Sequence, residues 1–243
     1  MIEVESVGIT LGGRKILNNI NATFQPGVPN LVIGASGSGK SVFLKCLVGL
    51  LTPQEGKIIY DDQDFLSLEY DQKQELRKQI GMLFQNNALF DSLTVEENVE
   101  FPLKMFSTLS KEERKHRVNE CLSKVNLVNS NNKFPSEISG GMKKRVGIAR
   151  AIALPIKYLF CDEPNSGLDP LTSRVIDDLI LQITKDLNIT TVINSHDMKT
   201  VKDIGENIIF IYQGAKWWQG NKSDLDAARA QNIELDNFFK ASF

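Results

Sequence analysis

Two short stretches in this chain of 243 residues carry the residue types that phosphate chemistry needs. The first is Gly34-Ala35-Ser36-Gly37-Ser38-Gly39-Lys40-Ser41, which fits G-x-x-x-x-G-K-[ST]. Glycines let backbone N–H groups curl around phosphate oxygens. The helix that starts at the end of the loop, through Val42, turns its positive end toward them. Lys40 is expected to reach the β- and γ-phosphates, and Ser41 to ligate Mg²⁺. The second stretch is Asp162-Glu163, at the end of the apolar run Ile156–Cys161. Asp162 is placed to hold Mg²⁺ beside the loop, where open α/β sheets bind ligands. Glu163 is placed to polarise an attacking water. The glycine-rich loop alone leaves GTPases, small-molecule kinases and ATPases open, and the Asp162-Glu163 pair narrows that choice.

The surrounding pattern supplies the elements that must position them. Ile2–Val7 alternates in polarity, Gly12-Gly13 marks a turn, and Ile16–Phe24 follows as a second strand. Leu31–Ile33 is a short apolar strand directly before the glycine-rich loop, and a helical pattern runs on through Leu50. Lys57–Tyr60 reads as a strand, Ser110–Val128 as a charged helix, Asn129–Lys133 as a polar loop and Met142–Ala153 as a helix. Ile156–Cys161 has the continuous apolar character of a parallel strand covered on both faces. Leu171–Leu187 reads as an amphipathic helix, Thr190–Asn194 as a strand, and Ile208–Tyr212 with Lys216–Trp218 as a hairpin around Gly214. From Ser223 the chain reads as helical. Alternation of strands and helices implies a mostly parallel, helix-covered α/β sheet with right-handed crossovers. The strand-rich beginning predicts an added antiparallel portion, and the charged middle a helical insertion.

Bulk properties narrow the class. The chain is 42% hydrophobic and 24% charged, as in globular proteins with a large core. A formal net charge of -2 argues against a dedicated nucleic-acid binder. The cluster Lys143, Lys144, Arg145 and Arg150 reads as the solvated face of a helix. Cys46, Cys121 and Cys161 lie far apart with no metal spacing and read as reduced, buried thiols. MIEVESVGIT lacks a basic segment followed by an apolar one, so no signal peptide is expected. The run near Val42–Leu51, broken by Lys45 and Gly49, is too short to cross a bilayer. Membrane association is therefore expected to come through a partner.

Between the two phosphate stretches stands Ile138-Ser139-Gly140-Gly141-Met142, which resembles the LSGGQ signature of ABC proteins with Ile for Leu and Met for Gln. Gln85 in Met82-Leu83-Phe84-Gln85 is similar to the Q-loop, Ser166-Gly167-Leu168-Asp169 to the D-loop, and His196 in Asn194-Ser195-His196-Asp197 to the switch histidine. All stand in the family's order, and the resemblance covers essentially the whole chain. It implies a P-loop NTPase core with a helical subdomain, about 86–153, inserted into one nucleotide-binding domain spanning 1–243. It implies an ATPase whose ATP is sandwiched between the loop of one copy and Ser139, Gly140 and Gly141 of its twin, in a two-fold homodimer. Ser41, Gln85 and Asp162 would organise Mg²⁺, Glu163 would act as base or water positioner, His196 would contact the γ-phosphate, and Asp169 would contribute from the D-loop. Where the family often stacks adenine on an aromatic residue, this chain has Leu11, which offers no aromatic face.

The resemblance also carries a subfamily. Pro135-Ser136-Glu137 before the signature is similar to separately encoded, importer-type subunits. Asn86–Leu103 resembles the corresponding stretch of Mla-type ATPases, which serve bacterial phospholipid trafficking with a permease and an MCE-domain protein. Met142 resembles that subfamily's SGGM. The resemblance thus implies a peripheral subunit on the cytoplasmic side of the inner membrane. Its groove near Gln85–Leu93 would receive the permease, with Leu89, Phe90 and Leu93 either as apolar contacts or as core of the helical insertion. An importer ATPase for another substrate such as amino acids, an FtsE-like cell-division ATPase and a soluble ABC ATPase are the other readings. Translation members of the last class carry two cassettes and repair members long coiled coils, neither of which is visible here. Phe238-Phe239 and Phe243 would anchor the tail on its own domain or on a partner.

Overall fold

A computed structural model describes residues 1–241. The chain opens with strands β1 (Ile2–Leu11), β2 (Arg14–Phe24) and β3 (Pro29–Ile33), then helix α1 (Lys40–Leu47). Strands β4 (Glu55–Tyr60) and β5 (Gln63–Asp64), helix α2 (Tyr70–Lys78) and strand β6 (Ile80–Leu83) follow. Three helices come next: α3 (Val95–Phe106), α4 (Lys111–Lys124) and, after a 3-10 turn at Pro135–Glu137, α5 (Gly140–Ala151). The rest is β7 (Tyr158–Asp162), α6 (Pro170–Asp186), β8 (Thr190–Ser195), α7 (Met198–Ile204), β9 (Asn207–Tyr212), β10 (Ala215–Gly220), α8 (Leu225–Gln231) and α9 (Ile233–Ala241).

Two sheets result. One is antiparallel, in the order β2-β1-β4-β5, and the other runs β10-β9-β3-β8-β7-β6 with every pair parallel except β10 and β9. The predicted antiparallel addition is thus the first sheet, and the predicted parallel core is the second. Successive side chains on a strand point to opposite faces, so each central strand serves two cores. On β3, Leu31 and Ile33 join α3 to α7 and α9 on one side, while Val32 joins α1 and the antiparallel sheet on the other. On β7, Leu159 and Cys161 face the first core, Tyr158 and Phe160 the second. This double burial is why these strands read as continuous apolar runs.

Several elements were not legible as such. The first-loop helix stops at Leu47 rather than Leu50, because Gly49 turns the chain at φ +74°. Helix α3 is capped by Thr94, whose hydroxyl accepts from Glu97 N while the Glu97 carboxylate accepts from Thr94 N. Pro102 sits inside it. The expected solvated face of basic residues is corrected: Lys144 is only 3% exposed, and Lys143, Arg145 and Arg150 are half-buried. The tail folds onto its own domain, with Phe239 fully buried and Phe238 packed 5.4 Å from Phe210 between ring centres. Phe243 lies outside the described residues.

Candidate functional site

The glycine-rich loop leaves β3 and enters α1 through two backbone turns that exclude side chains. Gly34 has φ +152°, and a Cβ there would lie 2.2 Å from the Ile211 carbonyl oxygen. Gly39 has φ +106°, and a Cβ there would lie 2.8 Å from Leu17. Lys40 is buried, with Nζ donating to the Gly34 carbonyl at 2.7 Å and the Ala35 carbonyl at 3.1 Å. Burial holds its pKa below the ordinary lysine value, and the fields of Glu163 and Asp162 oppose that pull. The Ser38 hydroxyl oxygen is buried without a partner among the described residues, a spare polar group inside the cradle that suits a phosphate oxygen.

Ser41 follows, and its hydroxyl donates to Asp162 Oδ1 at 3.1 Å. Asn194 at the end of β8 donates Nδ2 to the same oxygen at 3.0 Å. This places a hydroxyl and a carboxylate side by side, hard oxygen donors that fit Mg²⁺. Among the described residues no cluster of three or more His, Cys, Asp or Glu could hold a metal alone. The Ser41–Asp162 pair therefore suits an ion that takes its remaining ligands from phosphates and water.

Glu163 sits one residue beyond β7, at φ +48°. Its carboxylate is gripped from two sides: Gln85 Nε2 donates to Oε2 at 2.9 Å, and His196 Nδ1 lies 3.2 Å from Oε1. A carboxylate only accepts, so the Nδ1–H tautomer of His196 meets it. The backbone N of Glu163 donates to the Asn194 carbonyl at 3.1 Å, completing the tie between β7 and β8. Ser41, Gln85, Glu163 and His196 thus follow four adjacent strands, β3, β6, β7 and β8. Ala35, Ser36, Glu163, Leu168, Ser195 and His196 are among the residues that line a cleft of about 1120 Å³.

The signature residues are not brought to that cleft. Ser139 caps α5, its hydroxyl accepting from Met142 N at 3.3 Å. Ser139 and Gly140 are exposed, while Gly141 packs against Thr172. Asp169 caps α6: Oδ1 accepts from Leu171 N and Thr172 N at 3.0 Å each, and Oδ2 accepts from the Thr172 hydroxyl. Those bonds, the Thr172 hydroxyl first, lower its pKa. Leu11 is exposed at the end of β1. Of the three predicted groove residues, Phe90 is exposed with its ring tilted against that of Phe101, whereas Leu89 packs against the core and Leu93 is half-buried.

Three features escaped the sequence. Asn194 shares Asp162 with Ser41, a role visible only once β7 and β8 are paired in register. Lys144 reaches the Gln85 and Glu163 carbonyls. Asn165 donates to Asp177 Oδ1 at 2.8 Å and to Thr200 Oγ1 at 3.0 Å, and Thr200 donates to Asp177 Oδ2 at 2.8 Å. This buried triad joins the loop after β7 to α6 and α7. Burial raises Asp177 to about 6, against the pull of both hydrogen bonds.

A glycine-rich cradle on a parallel sheet, with the Asp162 carboxylate at the end of β7, the next strand but one from β3, bonded to Ser41, defines a P-loop nucleotide-binding cassette. Comparison with known proteins gives its family: the profile of the ABC transporter family matches residues 17–166. The chain is 37% identical over 212 residues to "Probable ribonucleotide transport ATP-binding protein mkl" of Mycobacterium tuberculosis, covering 87% of this chain and 59% of that protein. It is 39% identical over 247 residues to "Methionine import ATP-binding protein MetN" of Haemophilus ducreyi, covering 100% of this chain and 71% of that protein. The chain belongs to the ABC transporter family. It spans 59% of the length of the mkl proteins it matches. Among solved structures it is similar to the dimeric post-hydrolysis state of the ATP-binding cassette MJ0796 bound to ADP and Pi, with TM-score 0.82, 32% identity, and 91% of this chain and 99% of that one covered. It is also similar to cbiO1 from Clostridium perfringens, part of the cbiONQ transporter complex, with TM-score 0.85, 27% identity and 98% of each chain covered. Among the described residues no helix is long and apolar enough to cross a membrane.

Proposed function

We propose that this chain binds and hydrolyses ATP with Mg²⁺ as one half of a homodimer, energising a membrane permease from the cytoplasmic side of the inner membrane. The observation that carries this reading is the grip of Gln85 and His196 on Glu163, beside the Ser41–Asp162 pair. Lys40 and the loop amides hold the phosphates. Mg²⁺, held through Ser41 and Asp162, would supply charge neutralisation at the phosphate oxygens. Glu163 accepts the proton of the water whose oxygen attacks the γ-phosphorus, as the bond to the ADP oxygen breaks. Gln85 and His196 hold the Glu163 carboxylate in place for that step. Ser139, Gly140 and Gly141 close on the ATP of the twin, and Asp169 stiffens the adjoining loop by capping α6. The segment 86–153 acts as the inserted helical unit that meets the permease through Phe90 and its neighbours.

Glu163→Gln tests the assignment. It is expected to keep ATP binding and lose about a thousandfold in steady-state turnover. Phosphate release near the wild-type rate would reject the role of Glu163.

For the cargo, the favoured reading is Mla-type phospholipid transport alongside an MCE-domain protein. Asn86–Leu103 and Met142 support it by resemblance. A second reading, an importer for another small molecule, is favoured by the printed names of the relatives, which refer to ribonucleotide transport and methionine import. Purifying the assembled complex from membranes and identifying what stays bound separates the two. Phospholipid and an MCE-domain subunit support the first, and stimulation of hydrolysis by methionine or a ribonucleotide supports the second.

A further inference from the structure

Helix α5 turns one face to the loop that follows β6. Lys144, Gly147 and Arg150 lie three residues apart on that face. A Cβ on Gly147 would come within 2.7 Å of Leu83 and 3.8 Å of Asn87, so the loop backbone rides close to the helix. Arg150 donates to the Asn87 carbonyl at 2.6 Å and the Ala88 carbonyl at 2.7 Å. Both acceptor residues are in left-handed conformations, φ +62° and +48°, so the loop is bent as well as gripped. Lys144 is the deeper of the two cations. Its ammonium donates to the Gln85 carbonyl and, at 3.5 Å, to the Glu163 carbonyl.

Lys144 is only 3% exposed, and a buried ammonium is costly unless its donors are satisfied. Here the acceptors are two backbone carbonyls, belonging to the two residues whose side chains meet at 2.9 Å. Burial lowers the Lys144 pKa, while the fields of Cys161, Glu163 and Asp162 oppose that shift. The cation thus joins α5 to the segments that follow two strands, β6 and β7.

We propose that Lys144 is a positioning residue for hydrolysis, holding the Gln85 and Glu163 main chains on one ammonium so that their side chains stay in register. The same helix exposes the Ser139–Gly140 amides at its start, so the clamp also links the catalytic carboxylate to the surface offered to the twin. This inference rests on the reading of Glu163 as the group that activates water.

The test uses the full chain, with turnover and ATP affinity measured separately for each variant. Lys144→Met keeps the volume and removes every donor. It is expected to lose about a hundredfold in kcat with KM for ATP within about threefold of wild type. Lys144→Arg, whose fork reaches both carbonyls, restores kcat to within about fivefold. A folded Met variant with wild-type kcat, or one in which kcat and affinity fall together, overturns the proposal. If the Met variant does not fold, Lys144→Gln takes its place. Its single, shorter amide is expected to fall about tenfold below the Arg variant in kcat. Equal turnover of the Arg and Gln variants overturns the proposal too. Glu163→Gln run alongside separates the two claims. If that variant turns over normally, the reading of Glu163 has failed. If it is dead while the Lys144 variants are normal, only the positioning role has failed.

Discussion

The starts of α1 and α5 are both built from glycine and serine, yet the chain treats them in opposite ways. At α1 the N-cap is Gly39 in a left-handed turn with no side-chain cap, and the loop before it is packed against Ile16, Leu17 and Ile211. At α5 the N-cap is Ser139 in extended conformation, its hydroxyl bonded to Met142 N, and Gly140 faces solvent. A Cβ at Gly34 meets a carbonyl at 2.2 Å, whereas one at Gly140 meets only Leu168 at 3.7 Å, an ordinary contact. The first glycines are demanded by the fold of this chain. The second is permitted by the fold and finds its reason outside it. On the proposed reading, the first is an anion site within the chain and the second is half of one shared with a twin.

The widest separation between the two regions is expected in function. Lys40→Ala should abolish nucleotide binding by the chain. Gly140→Ala should leave binding by the single chain within about threefold and cut turnover of the pair by about a hundredfold. Equilibrium binding and phosphate release on the same preparations check both. Normal turnover in Gly140→Ala would erase the contrast.

Stability should separate them next. Gly34→Ala combines a backbone clash with a left-handed φ and is expected to cost about 3 kcal/mol or more. Gly140→Ala is expected to stay within about 0.5 kcal/mol of wild type in denaturant unfolding. Equal losses would mean that the signature glycine is structural after all.

Outside both regions, Asp177 on α6 has a raised pKa that gives a signed pH effect. Its folded carboxyl binds a proton at higher pH than the unfolded one. Its contribution is therefore fully present below the ordinary aspartate value near 4 and is lost as pH rises through about 6. The loss is of the order of 2–3 kcal/mol across that window. Asp177→Asn should flatten this part of the stability–pH curve, and an unchanged slope would remove the triad from the account. The cap is expected to give a smaller loss than Gly34 or Asp177: Ser139→Ala should cost about 1 kcal/mol in denaturant unfolding, with no counterpart at Gly39, which has no side chain to lose.

Much of this contrast was legible in the sequence, because both ends announce themselves locally. The loop from Gly34 to Ser41 needs its strand before and helix after, and both are readable in the neighbouring residues. The strands β3, β7 and β9 were legible because two-sided burial gives them continuous apolar runs, and β8 because of its β-branched run Thr190–Ile193. What failed was non-local. Lys143, Lys144 and Arg145 read as solvated, since nothing in that stretch reveals that the loop after β6 will fold over it. Helix α3 was missed with Pro102 inside it, although Thr94 and Glu97 stand three residues apart as a capping pair. Asn98 shows the same limit. It is a polar residue in a helical stretch, yet it is buried and holds Phe90 through bonds to both its N–H and its carbonyl. The cradle and the acidic strand end were readable from residue pattern, and Gln85, the signature, Asp169 and His196 from resemblance, whereas Asn194 and Lys144, which bond to Asp162 and Glu163, come from elsewhere in the chain.

All three native thiols are buried, with burial pushing Cys46 to about 11, Cys161 to about 12 and Cys121 upward as well. Sulfur reacts as the thiolate, so these positions are chemically silent at neutral pH. The wild-type chain is therefore already a blank background for labelling. A cysteine placed at exposed Ser36 and another at Ser139 would be the readily alkylated sulfurs of the molecule. Short and long bis-maleimides would then act as a ruler across two copies, without first removing any natural cysteine of this chain.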